Sequence, residues 1–499
     1  MAEGIFYDGA NNKVVITATG NNASDLYVNG VRVGLGKGAQ ADATVLGCNA
    51  LENNVSGSRL TAVGWQSMGQ NTTGAYSSAF GAESLLSNTT GSSNTAIGWR
   101  GLKFNTTGSN NTSVGTDSMQ FNTTGLCNVA VGQKALCCNT TGSKNTAIGQ
   151  AAMLNNTSGS GNVAVGQSAL YTNSTSYNVA LGYESLKSAS GNYIIGIGYQ
   201  AGESNTGGQS ISIGYRAGEA NTSGANVFVG SCSGMNNTSG SNIAAVGRGS
   251  LYANTTGSGN TALGFGSLSA NTTASSNAAV GTQSLSSNTT GSNNTALGAY
   301  SLCCNTTAGN NTGIGTNALC LNTTGDLNTA VGSNALKVNT TGRYNTAVGT
   351  SALIRNTTGS NNTALGMYAG YNVDSNNNIM LGCGAYLGQW DSVNSVSLST
   401  GNYNIAIGRQ SLHCNTTGAS NVAIGYVALC ANTTRSGEIA IGHCALREQT
   451  TGGENVAIGM QVGRCLTTAI RGVYIGFQAG LSLTTGSNNI LIGMKAGTA

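Results

Sequence analysis

The chain has 499 residues, of which 76 are Gly, none is Pro and 7% are charged. Soluble domains usually contain about 7% Gly, about 5% Pro and about 25% charged residues, so this is not the composition of a common globular enzyme, and collagen is excluded because its triple helix needs abundant Pro. The absence of Pro favours a regular β architecture in which nearly every backbone N–H joins a hydrogen-bond ladder. The formal net charge of +4 is spread without a basic run, so we expect no nucleic-acid partner.

Residues 1–42 precede any repeat and form a segment of their own. In them β-forming residues alternate with turn signals such as Asp8-Gly9 and Asn29-Gly30, which predicts small hairpins. We interpret this segment as an N-terminal cap or as the part that attaches the chain to a virion or a cell-surface base. It shows neither the basic nor the apolar region of a signal peptide, and the chain has no apolar stretch of the roughly 20 residues that span a membrane. We therefore expect synthesis in the cytoplasm and no membrane insertion.

Residues 43–499 consist of about 27 repeats of 16 or 17 residues, each marked by a Gly that ends a short apolar run. Positions are counted from this marker Gly; the repeat around Gly98 reads NTAIGWRGLKFNTTGSN. Position −1 is apolar in every repeat, position −3 is commonly β-branched, and position −2 is mostly Ala. Because strand side chains alternate between faces, we expect Thr95 and Ile97 to face into the coil and Ala96 to face outward.

The second half of the repeat carries a Leu or Met at position +4 and then the turn sequence Asn-Thr-Thr-Gly, which suits left-handed backbone conformations. Position +4 is Gly in a second subtype of coil, in Gly202, Gly218, Gly234, Gly370, Gly463, Gly480 and Gly497. Each repeat is therefore predicted to form a strand, a bend, a short strand and a turn. Stacked repeats of this kind predict an all-β fold, a parallel β-solenoid or β-roll of about 27 coils.

Asn recurs at position +7, so stacking would place one Asn amide on the next in a ladder at the corner of the coil. The predicted ladder includes Asn88, Asn105, Asn122, Asn139, Asn288 and Asn322. These residues also belong to N-x-[ST] sequons, for which we favour the structural role over glycosylation. The outward Ala stripe, with the occasional Phe228, Met380, Tyr474 and Leu491, would leave an apolar face that one thin coil cannot cover. This face predicts a homo-oligomer.

The motif N-[TVI]-A-[VI]-G followed by x-x-A-L resembles the heads of trimeric autotransporter adhesins, although those heads use shorter coils. The longer unit NTTGSNNTAVG is more closely similar to the repeat shafts of phage and large-virus tail fibres. The resemblance covers residues 43–499. It implies a left-handed parallel β-roll, a homotrimer, a place on a virion surface or outside the cell, and a cell-surface glycan or protein receptor.

An insertion near residues 383–404 lengthens one repeat and contains the candidate surface-binding residues Tyr386, Gln389, Trp390 and Asp391. Cys303 and Cys320 both occupy position +5 in adjacent repeats, so stacking would bring these two inter-coil thiols within disulfide range. We favour the reduced form, given cytoplasmic assembly. His413 and His443 occupy different coil positions, and no set of residues has the spacing of a catalytic, metal or cofactor site, so we expect no enzyme and no cofactor.

Three functions fit these patterns. The first is a structural and adhesive fibre, a tail-fibre-like shaft that mediates attachment to a host cell. The second is a bacterial trimeric surface adhesin or extracellular filament subunit, which requires export. The third and remote alternative is ice binding by rows of Thr such as Thr106, Thr123 and Thr140, which the repeat places in the turn rather than on a flat strand face.

Overall fold

The computed structural model of the chain describes residues 4–8, 13–17, 26–28, 31–36, 38, 42–388 and 398–497. These residues form 31 strands and no helix. The strands are β1 (Gly4–Asp8), β2 (Lys13–Thr17), β3 (Leu26–Val28), β4 (Val31–Gly34), β5 (Thr44–Gly47), β6 (Thr61–Val63), β7 (Ser78–Phe80), β8 (Thr95–Ile97), β9 (Thr112–Val114), β10 (Val129–Val131), β11 (Thr146–Ile148), β12 (Val163–Val165), β13 (Val179–Leu181), β14 (Ile195–Ile197), β15 (Ile211–Ile213), β16 (Val227–Val229), β17 (Ala244–Val246), β18 (Thr261–Leu263), β19 (Ala278–Val280), β20 (Thr295–Leu297), β21 (Thr312–Ile314), β22 (Thr329–Val331), β23 (Thr346–Val348), β24 (Thr363–Leu365), β25 (Ile379–Leu381), β26 (Ile405–Ile407), β27 (Val422–Ile424), β28 (Ile439–Ile441), β29 (Val456–Ile458), β30 (Val473–Ile475) and β31 (Ile490–Ile492).

The chain divides into two compact units, unit 1 (Met1–Ser241) and unit 2 (Asn242–Ala499). In unit 1 each strand from β5 to β16 pairs in parallel with the next one. In unit 2 the same holds from β17 to β31. The insertion does not break the register, because Ile379 pairs with Ile405 as directly as Thr363 pairs with Ile379. The predicted parallel β-solenoid is confirmed.

The N-terminal segment forms two hairpins. Strands β1 and β2 pair antiparallel, and so do β3 and β4. Strand β4 also pairs antiparallel with β5, so the free edge of the first solenoid strand is covered. The guanidinium of Arg32 is buried there and donates to the carbonyl of Ala50 at 2.9 Å and to Glu52 at 2.9 Å.

The side-chain directions predicted for the strand are wrong: the residue predicted to face outward is buried, and the residues predicted to face inward are on the surface. In β8, Ala96 at position −2 is fully buried, whereas Ile97 at position −1 is 43% exposed. The reason is the narrowness of the coil, whose interior already holds the Leu of position +4. At Gly196, which occupies position −2, an added Cβ would lie only 2.6 Å from the Cγ of Leu186. Only a small side chain fits opposite that Leu.

Large residues at position −2 also point inward, and the core makes room for them with glycine. Phe228, Met380 and Tyr474 are fully buried, so the outward direction predicted for them is wrong. Each lies against a Gly of position +4: a Cβ added to Gly234 would lie 2.1 Å from the Phe228 ring. The corresponding pairs are Met380 with Gly370, Tyr474 with Gly480, and the half-buried Leu491 with Gly497. In these four pairs the Gly of position +4 is therefore a packing compensation for the large residue.

The segment after the marker Gly is a turn and not the predicted short strand. Arg100 and Leu102, at positions +2 and +4, have left-handed φ values of 59° and 50°. The N–H groups of these two residues point in opposite directions along the stack. The N–H of Arg100 donates to the carbonyl of Ala82 in the preceding coil, and the N–H of Leu102 donates to the carbonyl of Ser118 in the following coil. The inter-coil hydrogen bonds offset the conformational cost of these residues, about 1–2 kcal/mol each.

Candidate functional site: asparagine ladders and the outward strand face

The six Asn residues predicted to stack at position +7 are buried and form amide ladders. The Nδ2 of Asn105 donates to the Oδ1 of Asn88 at 2.8 Å and to the carbonyl of Gly108 at 2.9 Å. The same two bonds recur at the other positions of the ladders, which lie within each unit. Buried amides of this kind are satisfied from coil to coil, so they fix the register of the stack.

A second Asn ladder, which the sequence analysis did not identify, runs at position −4. Asn111 donates its backbone N–H to the Oδ1 of Asn94 at 3.0 Å, and Asn94 donates its Nδ2 to Gly108 at 2.8 Å. Both ladders therefore meet at one carbonyl, that of position +10. The signal was present in the sequence as the Asn that opens nearly every NTAIG motif.

The turn of positions +8 to +10 directs three N–H groups at the next coil. The amides of Thr89, Thr90 and Gly91 all donate to the carbonyl of Thr106, and the hydroxyl of Thr89 donates to the same atom at 3.0 Å. The Thr residues considered for ice binding are used in the same way: Thr106, Thr123 and Thr140 each donate a hydroxyl proton to a carbonyl of the next coil.

Asp374 replaces Thr at position +8. Its carboxylate takes over the role that the backbone carbonyl of the position +8 Thr has in the other coils. It accepts the N–H groups of Thr357, Thr358 and Gly359 at 2.9–3.0 Å. Burial acts to raise the pKa of Asp374, but these hydrogen bonds, with that of the Thr357 hydroxyl, outweigh it, so that the pKa lies below its usual value.

Glu438 interrupts the ladder of position −4 immediately before β28 and is fully buried. Its carboxylate accepts the backbone N–H and the Nδ2 of Asn455, each at 3.2 Å. Burial raises the pKa of Glu438 to about 7, although the hydrogen bonds from Asn455 partly oppose the shift. One coil of unit 2 therefore contains a buried carboxyl group that titrates near neutral pH.

The outward strand face is defined here as the side chains at positions −3 and −1. It forms an apolar row at position −1 in each unit, with Ile148 40% and Leu365 40% exposed. No charged residue stands at either position in any repeat. The row in unit 1 is Leu46, Val63, Phe80, Ile97, Val114, Val131, Ile148, Val165, Leu181, Ile197, Ile213 and Val229. The row in unit 2 is Val246, Leu263, Val280, Leu297, Ile314, Val331, Val348, Leu365, Leu381, Ile407, Ile424, Ile441, Ile458, Ile475 and Ile492.

Charged side chains lie elsewhere on the coil, and some of them pair between neighbouring coils. Glu83 at position +2 contacts Arg100 at 3.0 Å and Lys103 at 2.6 Å in the next coil. The hydrogen bond from Lys103 is the main cause that lowers the pKa of Glu83. Charged side chains are therefore kept off the outward strand face.

Of the four candidate binding residues of the insertion, Tyr386 lies among the described residues. Tyr386 is fully buried, and its hydroxyl donates to the carbonyl of Gly401 at 3.0 Å. Burial raises its pKa to about 12. The predicted surface role of Tyr386 is therefore wrong, because its ring is buried inside the coil. Gln389, Trp390 and Asp391 lie outside the described residues.

Cys303 and Cys320 are brought together as their spacing predicts. Their sulfur atoms lie 2.8 Å apart, and the sulfur of Cys304 lies 3.8 Å from that of Cys303. All three are free thiols on the half-buried surface of the coil.

Among the described residues, no three His, Cys, Asp or Glu side chains are grouped so that they could hold a metal ion. In the same part of the chain, no helix has the length and apolar character to cross a bilayer. No protein-family model matches the chain, and no curated protein matches it significantly.

Proposed function

We propose that the protein is a structural and adhesive fibre subunit, which associates with further copies of itself through the outward strand face and attaches to a host cell surface. The observation that carries this proposal is the unbroken apolar row at position −1 within each unit, on a face without charges. Depletion of charge is the compositional signal of the core of a protein interface. A virion surface or an extracellular location, and attachment through the N-terminal segment, belong to the same proposal.

The size of the row supports self-association. Of the fifteen side chains of the row in unit 2, eight are more than a third exposed and the other seven are partly exposed, so the row is long enough to form the apolar core of a standard interface of ~800 Å² per partner. Exposed aromatic residues that follow the marker Gly, such as Trp65, Trp99 and Phe265, adjoin the row and are of the types enriched at interfaces. A second copy has the same spacing of coils, so its row matches this one along its length. The resemblance to tail-fibre shafts implies three copies.

The experiment is light scattering on the full chain and on Ile148→Lys, with Thr141→Lys as the matched control. Thr141 is an exposed turn residue that lies five positions before β11. We expect a trimeric mass for the unaltered chain and the control, and dissociation for Ile148→Lys, since a charge would be buried without a partner. Labelled protein should bind cells only in its oligomeric form, because weak repeated contacts depend on avidity. A monomeric unaltered chain would overturn the proposal.

One observation favours ice binding as a second candidate. Strands β20–β24 present a row of Thr at position −3, on the outward strand face and not in the turn: Thr295, Thr312, Thr329, Thr346 and Thr363. A flat, regular array of hydroxyl and methyl groups is a surface on which water can be ordered. Thermal hysteresis tests this function, and a protein that buries this face in an oligomer should show none.

A further inference from the structure

We propose that Cys303 and Cys320 form a thiol–disulfide exchange site, which reacts with a small-molecule disulfide of the glutathione class and closes into a disulfide between adjacent coils. The proposal concerns the chemistry of one coil position and does not depend on the proposed function. Both residues stand at position +5, away from the outward strand face, so self-association through that face leaves them accessible.

The geometry already places the two sulfur atoms together. Their separation of 2.8 Å is enforced by the stack, since the backbone N–H of Cys304 donates to the carbonyl of Cys320 at 2.9 Å. Parallel neighbours in a stack lie about 4.8 Å apart, which falls inside the range of about 4.4–6.8 Å between Cα atoms in disulfides. A bond between the two sulfur atoms therefore requires no movement of the coils.

The environment assigns the two thiols different roles. The two thiols share a hydrogen bond, and Lys337 lies at position +5 of the following coil. The hydrogen bond first and then this positive charge lower the pKa of Cys320 to about 7. The pKa of Cys303 is raised by that same hydrogen bond and by burial. Since the thiolate is the nucleophile in exchange reactions, Cys320 attacks first.

The reaction then proceeds in two balanced steps. The Cys320 thiolate attacks one sulfur of glutathione disulfide, the S–S bond of the reagent breaks, and one glutathione thiolate leaves. Cys303 then attacks the Cys320 sulfur of the mixed disulfide and displaces the second glutathione thiolate, which takes up the Cys303 proton. The two cysteines are oxidised to one disulfide, and one glutathione disulfide is reduced to two thiols.

The experiment exposes the full chain to oxidised glutathione at pH 8, quenches it, and maps free thiols, mixed disulfides and internal disulfides by differential alkylation and mass spectrometry. Exposed Cys48 serves as the unpaired reference thiol. In the unaltered chain we expect Cys303 and Cys320 to become linked without a glutathione adduct, and Cys48 to carry only a mixed disulfide.

Two variants separate the roles, and both should fold, because Ser already occupies position +5 in the two preceding coils, as Ser269 and Ser286. In Cys303→Ser the glutathione adduct should accumulate on Cys320. In Cys320→Ser, Cys303 should react at least tenfold more slowly than Cys320 does in Cys303→Ser. The proposal is overturned if the unaltered chain keeps both thiols free, retains the adduct on Cys320, or links Cys320 to Cys304 instead.

Discussion

The buried carboxyl group of Glu438 makes the stability of unit 2 depend on pH, and Glu438→Gln should remove this dependence. The folded protein holds the Glu438 proton up to a pKa of about 7, whereas the ordinary value is 4.5. Because the folded pKa is the higher one, the contribution to stability is fully present below pH 4.5 and is lost as the pH rises to about 7. One pKa unit corresponds to about 1.36 kcal/mol, so the loss is roughly 3 kcal/mol.

Glu438→Gln keeps the size of the side chain and its acceptor for Asn455 but carries no charge. The variant and the unaltered chain should have similar stabilities at pH 4.5, and the variant should be the more stable by roughly 3 kcal/mol at pH 8. Glu448→Gln is the matched control, since Glu448 lies on the exposed surface of the same coil.

The assay is hydrogen exchange of the peptides that cover β28 and β29, measured from pH 5 to pH 8 after correction for the intrinsic exchange rate. Hydrogen exchange reports local opening, which suits a repeat protein whose coils need not unfold together. If the difference between Glu438→Gln and the unaltered chain is the same at pH 5 and pH 8, then Glu438 does not titrate in this range and the reasoning is refuted.

Three further predictions concern other positions of the coil. Phe228→Ala should destabilise unit 1 by roughly 3–5 kcal/mol, and the added substitution Gly234→Leu should recover part of that loss in denaturant unfolding, whereas a further loss would contradict the size compensation. Asn105→Ala should cost roughly 2–5 kcal/mol by the same measurement, because it leaves two buried ladder groups unpaired; a cost below 1 kcal/mol would argue against the ladder. Asp374→Asn should weaken protection of the Thr357 amide in hydrogen exchange at pH 7. It should also reduce the loss of stability below pH 4. The pKa of Asp374 is lower in the folded than in the unfolded chain, so its contribution to stability is present above the unfolded pKa and is lost as the pH falls through the folded pKa.

The sequence was sufficient to predict the strand, its parallel stacking and the ladder at Asn105. These features follow from local rules repeated at a fixed period: an apolar run short enough for one strand, a turn with Asn and Gly, and identical residues that stacking must superimpose. The contact between Cys303 and Cys320 followed for the same reason, since two residues at one coil position become neighbours.

Only the tertiary structure decided which side of the strand is buried. Alternation along a strand fixes that Ala96 and Ile97 face opposite ways, but not which of them faces inward. That choice depends on the volume left opposite Leu102 inside a narrow coil, which is set by how the coil closes in three dimensions and not by the alternation along the strand. The same volume accounts for Phe228 against Gly234. The sequence by itself therefore determined a stack of identical coils, and the packing across each coil decided that the surface carries the row of Ile, Val and Leu instead of Ala.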